Sequence, residues 1–307
     1  MRVFHSELAI NPSLYSFGYS TYAYLEEGDD LSECYQKGFL PFVGVREEKT
    51  EMLFMARGSR VRVDLFEESS ENRRIDRRVK ARFGTLDVQT HQKEEFDRKN
   101  DLLDFLVRHF ASRFGREAMP RDRLNAMLAS PLLTHIIEYR TDNGGIAYSL
   151  ETQGRDFFHL WHIAYAPELR NSNFGAYMFL DFVRRARSVQ KKYAYLGITC
   201  GANMHIKTYF QPLEYWNGNE WVRDPKSVQL KKLLASDATR VLALTDEWRD
   251  DRHPYHPAPI RFESGRAELR FLATVLYGLP RTASLIIGLC AGFAIVFVLT
   301  QVVIMVR

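Results

Sequence analysis

The order of elements between Leu133 and Thr199 narrows the fold more than any other feature of this 307-residue chain. Residues 133–140 run into Asp142-Asn143-Gly144-Gly145, a strong hairpin signal, and residues 146–151 return. Residues 157–164 form a third apolar run of strand length, and residues 167–173 read as a loop. Phe174, Met178, Phe182 and Ala186 then recur at i, i+4 spacing, which predicts a helix over residues 174–189. Its Arg184, Arg185 and Arg187 fall in the later turns, where cations complement the helix dipole. Residues 193–199 are the next strand. Three strands, a helix and a strand predict an α+β domain around a sheet.

The first half is less regular. Residues 31–37 read as a helix stopped by Gly38, and residues 39–43 and 51–55 as short strands. Residues 60–66 alternate polar and apolar side chains at period two, the mark of a half-buried strand. Ser69 and Ser70 offer caps for a basic helix or loop after them. Phe96, Leu103, Phe105, Leu106, Phe110 and Phe114 build one apolar stripe, so residues 94–114 are expected to be a helix ended by Gly115. A short helix at residues 124–128 breaks at Ser130-Pro131.

Net charge is only +4, but residues 57–82 hold nine Arg or Lys. That surface is either a solvated face or a contact for phosphate. Cys34, Cys200 and Cys290 are far apart and match no metal-ligand spacing, so no metal and no disulfide framework is expected. No Cys–His signature accompanies Cys200. The polar N-terminus is unlike a signal peptide. The His253-Pro254-Tyr255-His256-Pro257 segment reads as a linker rather than a metal set.

Residues 283–306 carry no charge, and at about 1.5 Å per residue they span a hydrocarbon core of roughly 30 Å. Arg261, Arg266, Arg270 and Arg281 precede them and only Arg307 comes after. The expectation is a single-pass C-terminal tail anchor with the main domain in the cytoplasm, at the inner membrane if the cell is bacterial. Gly288 and Gly292 would allow close helix contact there, and with it a membrane protein complex.

Chemistry concentrates in two segments. The loop Arg170-Asn171-Ser172-Asn173-Phe174-Gly175-Ala176 opens a helix, where free N–H groups and the dipole favour an anion. It resembles the pyrophosphate loop of the GNAT acetyltransferases at Arg170 and Gly175, with Asn173 where that pattern has its first glycine. The other segment is Tyr195-Leu196-Gly197, then Met204, Lys207, Phe210, Pro212-Leu213-Glu214 and Trp221. Here a strand delivers charge and aromatic rings into the next loop, with Tyr209, Phe210 and Trp216 read as core.

Together with Asn173-Phe174-Gly175-Ala176-Tyr177, Ser130-Pro131, Glu138-Tyr139-Arg140, Arg60-Val61-Arg62-Val63 and Ser70-x-Asn72-Arg73-Arg74, this segment closely resembles the bacterial arginyl/leucyl-tRNA–protein transferase family over roughly residues 15–224. The chain departs from it in lacking the cysteines of the family's first domain and in carrying a membrane tail. The resemblance implies a GNAT-like mixed-sheet acyltransferase domain (residues 93–245) behind a smaller N-terminal α+β domain (residues 1–92). A linker (246–281) and a transmembrane helix (282–307) complete the division. It implies no cofactor, and aminoacyl-tRNA and a protein N-terminus or other amine as partners.

By the same resemblance Tyr177, Lys207 and Glu138 would be catalytic, Glu138 as proton acceptor. Arg170, Asn173, Gly175, Ala176, Tyr195 and Gly197 would hold the donor. Arg60, Arg62, Arg73, Arg74 and Glu214 would contact tRNA or the acceptor, with a structural pair open for Glu214. Two alternatives stand beside it: an acyltransferase using an acyl-CoA donor, and an inactive transferase-like scaffold in a membrane complex.

Overall fold

The computed structural model describes residues 1–7, 19–43, 51–116 and 119–236. Two of the expectations, the membrane tail and the His253–His256 segment, lie outside them. Among the described residues no helix is long and apolar enough to cross a membrane. The chain divides into two compact units, Met1–Ile260 and Arg261–Arg307, and every described element belongs to the first.

Strands β1 (Arg2–Glu7), β2 (Tyr19–Tyr24), β3 (Phe39–Pro41) and β4 (Met52–Met55) form a small antiparallel sheet in the order β1-β2-β4-β3. Helix α1 (Leu31–Gln36) sits between β2 and β3, capped by the Asp30 side chain on the Ser32 amide. Next come β5 (Gly58–Arg62), α2 (Ser70–Phe83), β6 (Asp87–Gln92), α3 (Lys99–Phe114), α4 (Arg121–Ala129), β7 (His135–Arg140), β8 (Ile146–Gln153) and β9 (Phe157–Tyr165). Helix α5 (Phe174–Ser188), β10 (Tyr193–Ile198), β11 (Leu213–Trp216), β12 (Trp221–Arg223) and α6 (Val228–Ser236) complete the described chain. The second sheet has eight strands in the order β12-β11-β5-β10-β9-β8-β7-β6. It draws strands from both sides of residue 92.

Among the described strands only β9 and β10 pair in parallel, because helix α5 carries the chain back across the sheet between them. All other neighbours are antiparallel. The sheet is therefore mixed and the molecule α+β, as the element order predicts. Successive side chains point to opposite faces. Ile137 and Tyr139 pack with α2 and α5, whereas Ile136 and Leu150 pack with α3 and α4. Phe157 and Tyr195 pack against the small sheet. The site lies where these layers meet the β9–β10 pair.

Three expectations need correction. The period-two run at residues 60–66 stops at Arg62 and continues as a 3-10 turn, Val63–Leu65. Its strand is buried along most of its length rather than alternately, because β10 and β11 flank it. The helix expected from residue 94 begins at Lys99; Lys93–Glu95 is a separate 3-10 turn, and Phe96 is buried from the link between them. The stretch after Thr199 is likewise no open loop, since Ala202–Tyr209 is a 3-10 segment and β11 and β12 extend the sheet beyond β5.

Candidate active site

Strands β9 and β10 keep register for only three pairs, ending at Tyr195 opposite His159. Beyond that point each strand carries an irregularity: β10 between Tyr195 and Gly197, and β9 opposite Leu150 and Glu151, where Trp161 is the extra residue. Bulges bend a strand and end its pairing. The two strands part, and a cavity of about 200 Å³ fills the gap. Its walls include Phe110 and Phe114 of α3, Gly175 and Phe179 of α5, and Leu196 and Gly197 of β10. Polar atoms enter from His109, Arg113, His159, His162 and Lys207.

Lys207 comes from the 3-10 segment and is 3% exposed. Its ammonium donates to the Ile198 carbonyl, and burial pulls its pKa down to about 7 from the ordinary lysine range. Gly197 makes room for it. This residue has φ +75°, a conformation that glycine adopts freely. A Cβ there would lie 3.0 Å from the Leu160 carbonyl oxygen, 3.7 Å from His159 Nε2 and 3.9 Å from Lys207 Nζ. The missing side chain thus leaves a window on which an imidazole and an amine both open.

Three histidines share this region, all held neutral by desolvation. Burial lowers His109 to about 4 and His162 to about 3, and it carries His159 well below its usual value, with the Lys207 charge adding to the effect. His109 Nδ1 lies 2.9 Å from the Tyr165 carbonyl oxygen. Among the described residues no three His, Cys, Asp or Glu side chains converge as a metal set.

The sequence family model that matches this chain covers residues 86–217 and is described as "Arginine-tRNA-protein transferase, C terminus". That span holds every cavity-forming element except the strands of the small sheet. Over this region the chain is similar to the arginine-tRNA–protein transferases. Curated relatives include an aspartate/glutamate leucyltransferase of Ruegeria sp. (strain TM1040), 29% identical over 168 residues, which are 52% of this chain and 56% of that protein. One from Paracoccus denitrificans is 30% identical over 187 residues, 54% of this chain and 64% of that protein. The chain thus spans about half to two thirds of the length of these relatives. Among solved structures, L-PGS from Bacillus licheniformis overlays with a TM-score of 0.37 at 13% identity, covering 58% of this chain and 54% of that one. The glucosamine N-acetyltransferase region of a fungal β-N-acetylglucosaminidase overlays at 0.34 and 11%, covering 62% and 22%.

Three residues expected at the site meet on the cavity: Gly175, Gly197 and Lys207. Arg170, Asn173 and Ala176 build the turn that leads Gly175 there. Asn173 caps α5 from the left-handed region at φ 63°, a conformation asparagine tolerates, so it keeps the bend its position requires. Arg170 bonds the Ser112 hydroxyl. Ala176 and Tyr177 are buried in the core shared by α2 and α5, where burial pushes the Tyr177 phenol up to about 12. Tyr195, on β10, packs its ring against the small sheet, its hydroxyl 3.2 Å from Arg60 Nη1.

The other expected residues are held elsewhere. Glu138, fully buried on β7, pairs with Arg98 and Arg140. Arg60 is wedged between the rings of Tyr193 and Trp221, 3.9 Å and 4.3 Å away, with its Nε 2.7 Å from Glu214. This is the structural pair left open for Glu214. Arg62 pairs with Asp64 at the surface, Arg74 with Glu71, and Arg73 donates to the Glu68 carbonyl.

Sequence reasoning passed over His109, His159 and His162. Residues three apart on a regular strand point to opposite faces, so His159 and His162 give no signal of a shared site. The extra residue at Trp161 turns both toward the cavity, and nothing in the sequence announces that bulge.

Proposed function

We propose that the chain moves an aminoacyl group with an apolar side chain from aminoacyl-tRNA to an amine acceptor such as a protein N-terminus. The observation that carries this reading is the meeting of Gly175, Gly197 and Lys207, from the two segments of the family signature, on one cavity. The relatives named aspartate/glutamate leucyltransferase support leucyl as the donor group and an acidic N-terminal residue as the acceptor. The apolar wall of Phe110, Phe114, Phe179 and Leu196 suits such a side chain. A GNAT-like arrangement belongs to the same reading. It is supported by the parallel β9–β10 pair, its α5 crossover and the gap at their ends.

The donor ester is already activated, so the work of the site is to orient two substrates and manage protons. Lys207, held from behind by the Ile198 carbonyl, would offer its remaining N–H bonds to the ester carbonyl oxygen as charge develops there. Arg73, Arg74, Arg77 and Arg78 are exposed on α2 and would track tRNA phosphates. The uncharged run 283–306 supports a membrane anchor for this activity.

The test is transfer of labelled leucine from leucyl-tRNA to peptides beginning with Asp or Glu, run beside a thermal-shift measurement with coenzyme A. Peptide labelling with no shift by coenzyme A is expected. No labelling together with a clear shift would replace this reading with the acyl-CoA one. No labelling and no shift would favour the scaffold.

A further inference from the structure

His159 is 4% exposed, yet it lines the cavity. Its Nδ1 lies 2.8 Å from the Tyr35 hydroxyl of α1. Thr152, beside that ring, donates to the Leu132 carbonyl at 2.6 Å and accepts from Trp161 Nε1 at 2.6 Å. The Tyr35 oxygen can accept from His159 only in the Nδ1–H tautomer. In that tautomer the Nε2 lone pair faces the window above Gly197, on which Lys207 Nζ also opens.

We infer that His159, as the Nδ1–H tautomer held by the Tyr35 oxygen, is the general base of the transfer. This rests on the aminoacyl-transfer reading above. The acceptor enters as a neutral amine and its nitrogen attacks the ester carbon. The C–N bond forms, and the carbonyl electron pair moves to oxygen beside Lys207. His159 Nε2 takes the proton that the attacking nitrogen must lose. When the intermediate collapses, the bond from carbon to the ribose oxygen breaks and that oxygen leaves with the proton from His159. The products are an amide and a free ribose hydroxyl, and His159 returns to its starting state.

The surroundings fit the task. Buried and facing the Lys207 charge and a neutral His162, the imidazole rests uncharged, and a proton it takes up is passed on to the leaving oxygen rather than retained. Glu138, by contrast, lies outside the cavity lining and is engaged by two arginines.

The experiment uses the full chain with leucyl-tRNA and an acidic N-terminal peptide. His159→Asn preserves a donor for Tyr35 but removes the atom that faces the cavity. It is expected to lower kcat about 100-fold or more, the usual scale of a general base, with KM for leucyl-tRNA nearly unchanged. Added imidazole should restore part of the rate of His159→Ala, which a structural role would not allow. Nitrogen-15 NMR should find His159 as the Nδ1–H tautomer in the wild type, lost in Tyr35→Phe. Undiminished transfer by His159→Asn, or an Nε2–H tautomer, overturns the assignment and leaves the aminoacyl reading intact. Absence of transfer by the wild-type chain overturns both.

Discussion

At the level of single residues the site depends on what Gly197 lacks. Gly197→Ala forces a side chain into a left-handed conformation and sets it 3.0 Å from a backbone oxygen that cannot retreat without disturbing β9. Urea unfolding should register a loss of about 1–3 kcal/mol, and a loss within error would remove the argument for that window. The buried histidines give a pH signature. His109 and His162 have folded-state pKa values near 4 and 3, below the unfolded value of about 6.5. Between those limits the unfolded chain binds more protons, so stability falls as pH drops from about 6.5 toward 3 and is flat above 7 as far as these groups are concerned. His109→Gln should flatten the fall of the urea midpoint between pH 7 and 5. An unchanged slope would place His109 outside this account.

The elements are held together by ion pairs of unequal depth. On α5, Arg185 reaches Asp181 and the fully buried Glu151 of β8, whereas Arg184 pairs with Glu68 and Asp76 at a half-open surface. Removing Arg185 strands a buried carboxylate. Arg185→Met should cost about 3–5 kcal/mol, and Arg184→Met nearer 1 kcal/mol, in chemical denaturation of the two variants side by side. Equal losses would contradict the burial difference. The basic face of α2 makes a separate prediction. Arg77→Glu with Arg78→Glu should weaken binding of leucyl-tRNA and lower its salt dependence, with little effect on saturated turnover. Unchanged affinity across a salt series would remove α2 from the interface.

Much of this level was legible in sequence. The 142–145 turn, the i, i+4 stripe of α5 and the Gly115 stop each carry a local signal that the fold obeys. The edge strand β6 carries none, because Asp87–Gln92 is largely exposed and polar and is a strand only through its pairing with β7. The same holds for Arg60, whose alternating neighbourhood reads as half-exposed until β10 and β11 close over it.

For the whole molecule, the site is a product of long-range order. Lys207, Gly175 and His159 are distant in sequence and meet only because α5 returns the chain in parallel and two bulges hold the strands apart. That is why Gly175, Gly197 and Lys207 were legible as a motif while the histidines were not. A motif is a local pattern, whereas a bulge is a consequence of packing.

The proposed membrane anchor belongs to this scale as well. Deleting residues 283–306 should release the protein from carbonate-washed membranes while leaving transfer to a soluble peptide within about twofold, and continued membrane retention would refute the anchor. The central claim, aminoacyl transfer at the β9–β10 cavity, is tested most directly by single-turnover transfer from leucyl-tRNA by the full chain and by Lys207→Met, compared at equal folded fraction. The account predicts transfer by the wild type and a drop of about 100-fold or more in the variant. Equal rates in the two, or no transfer by the wild type, would contradict it.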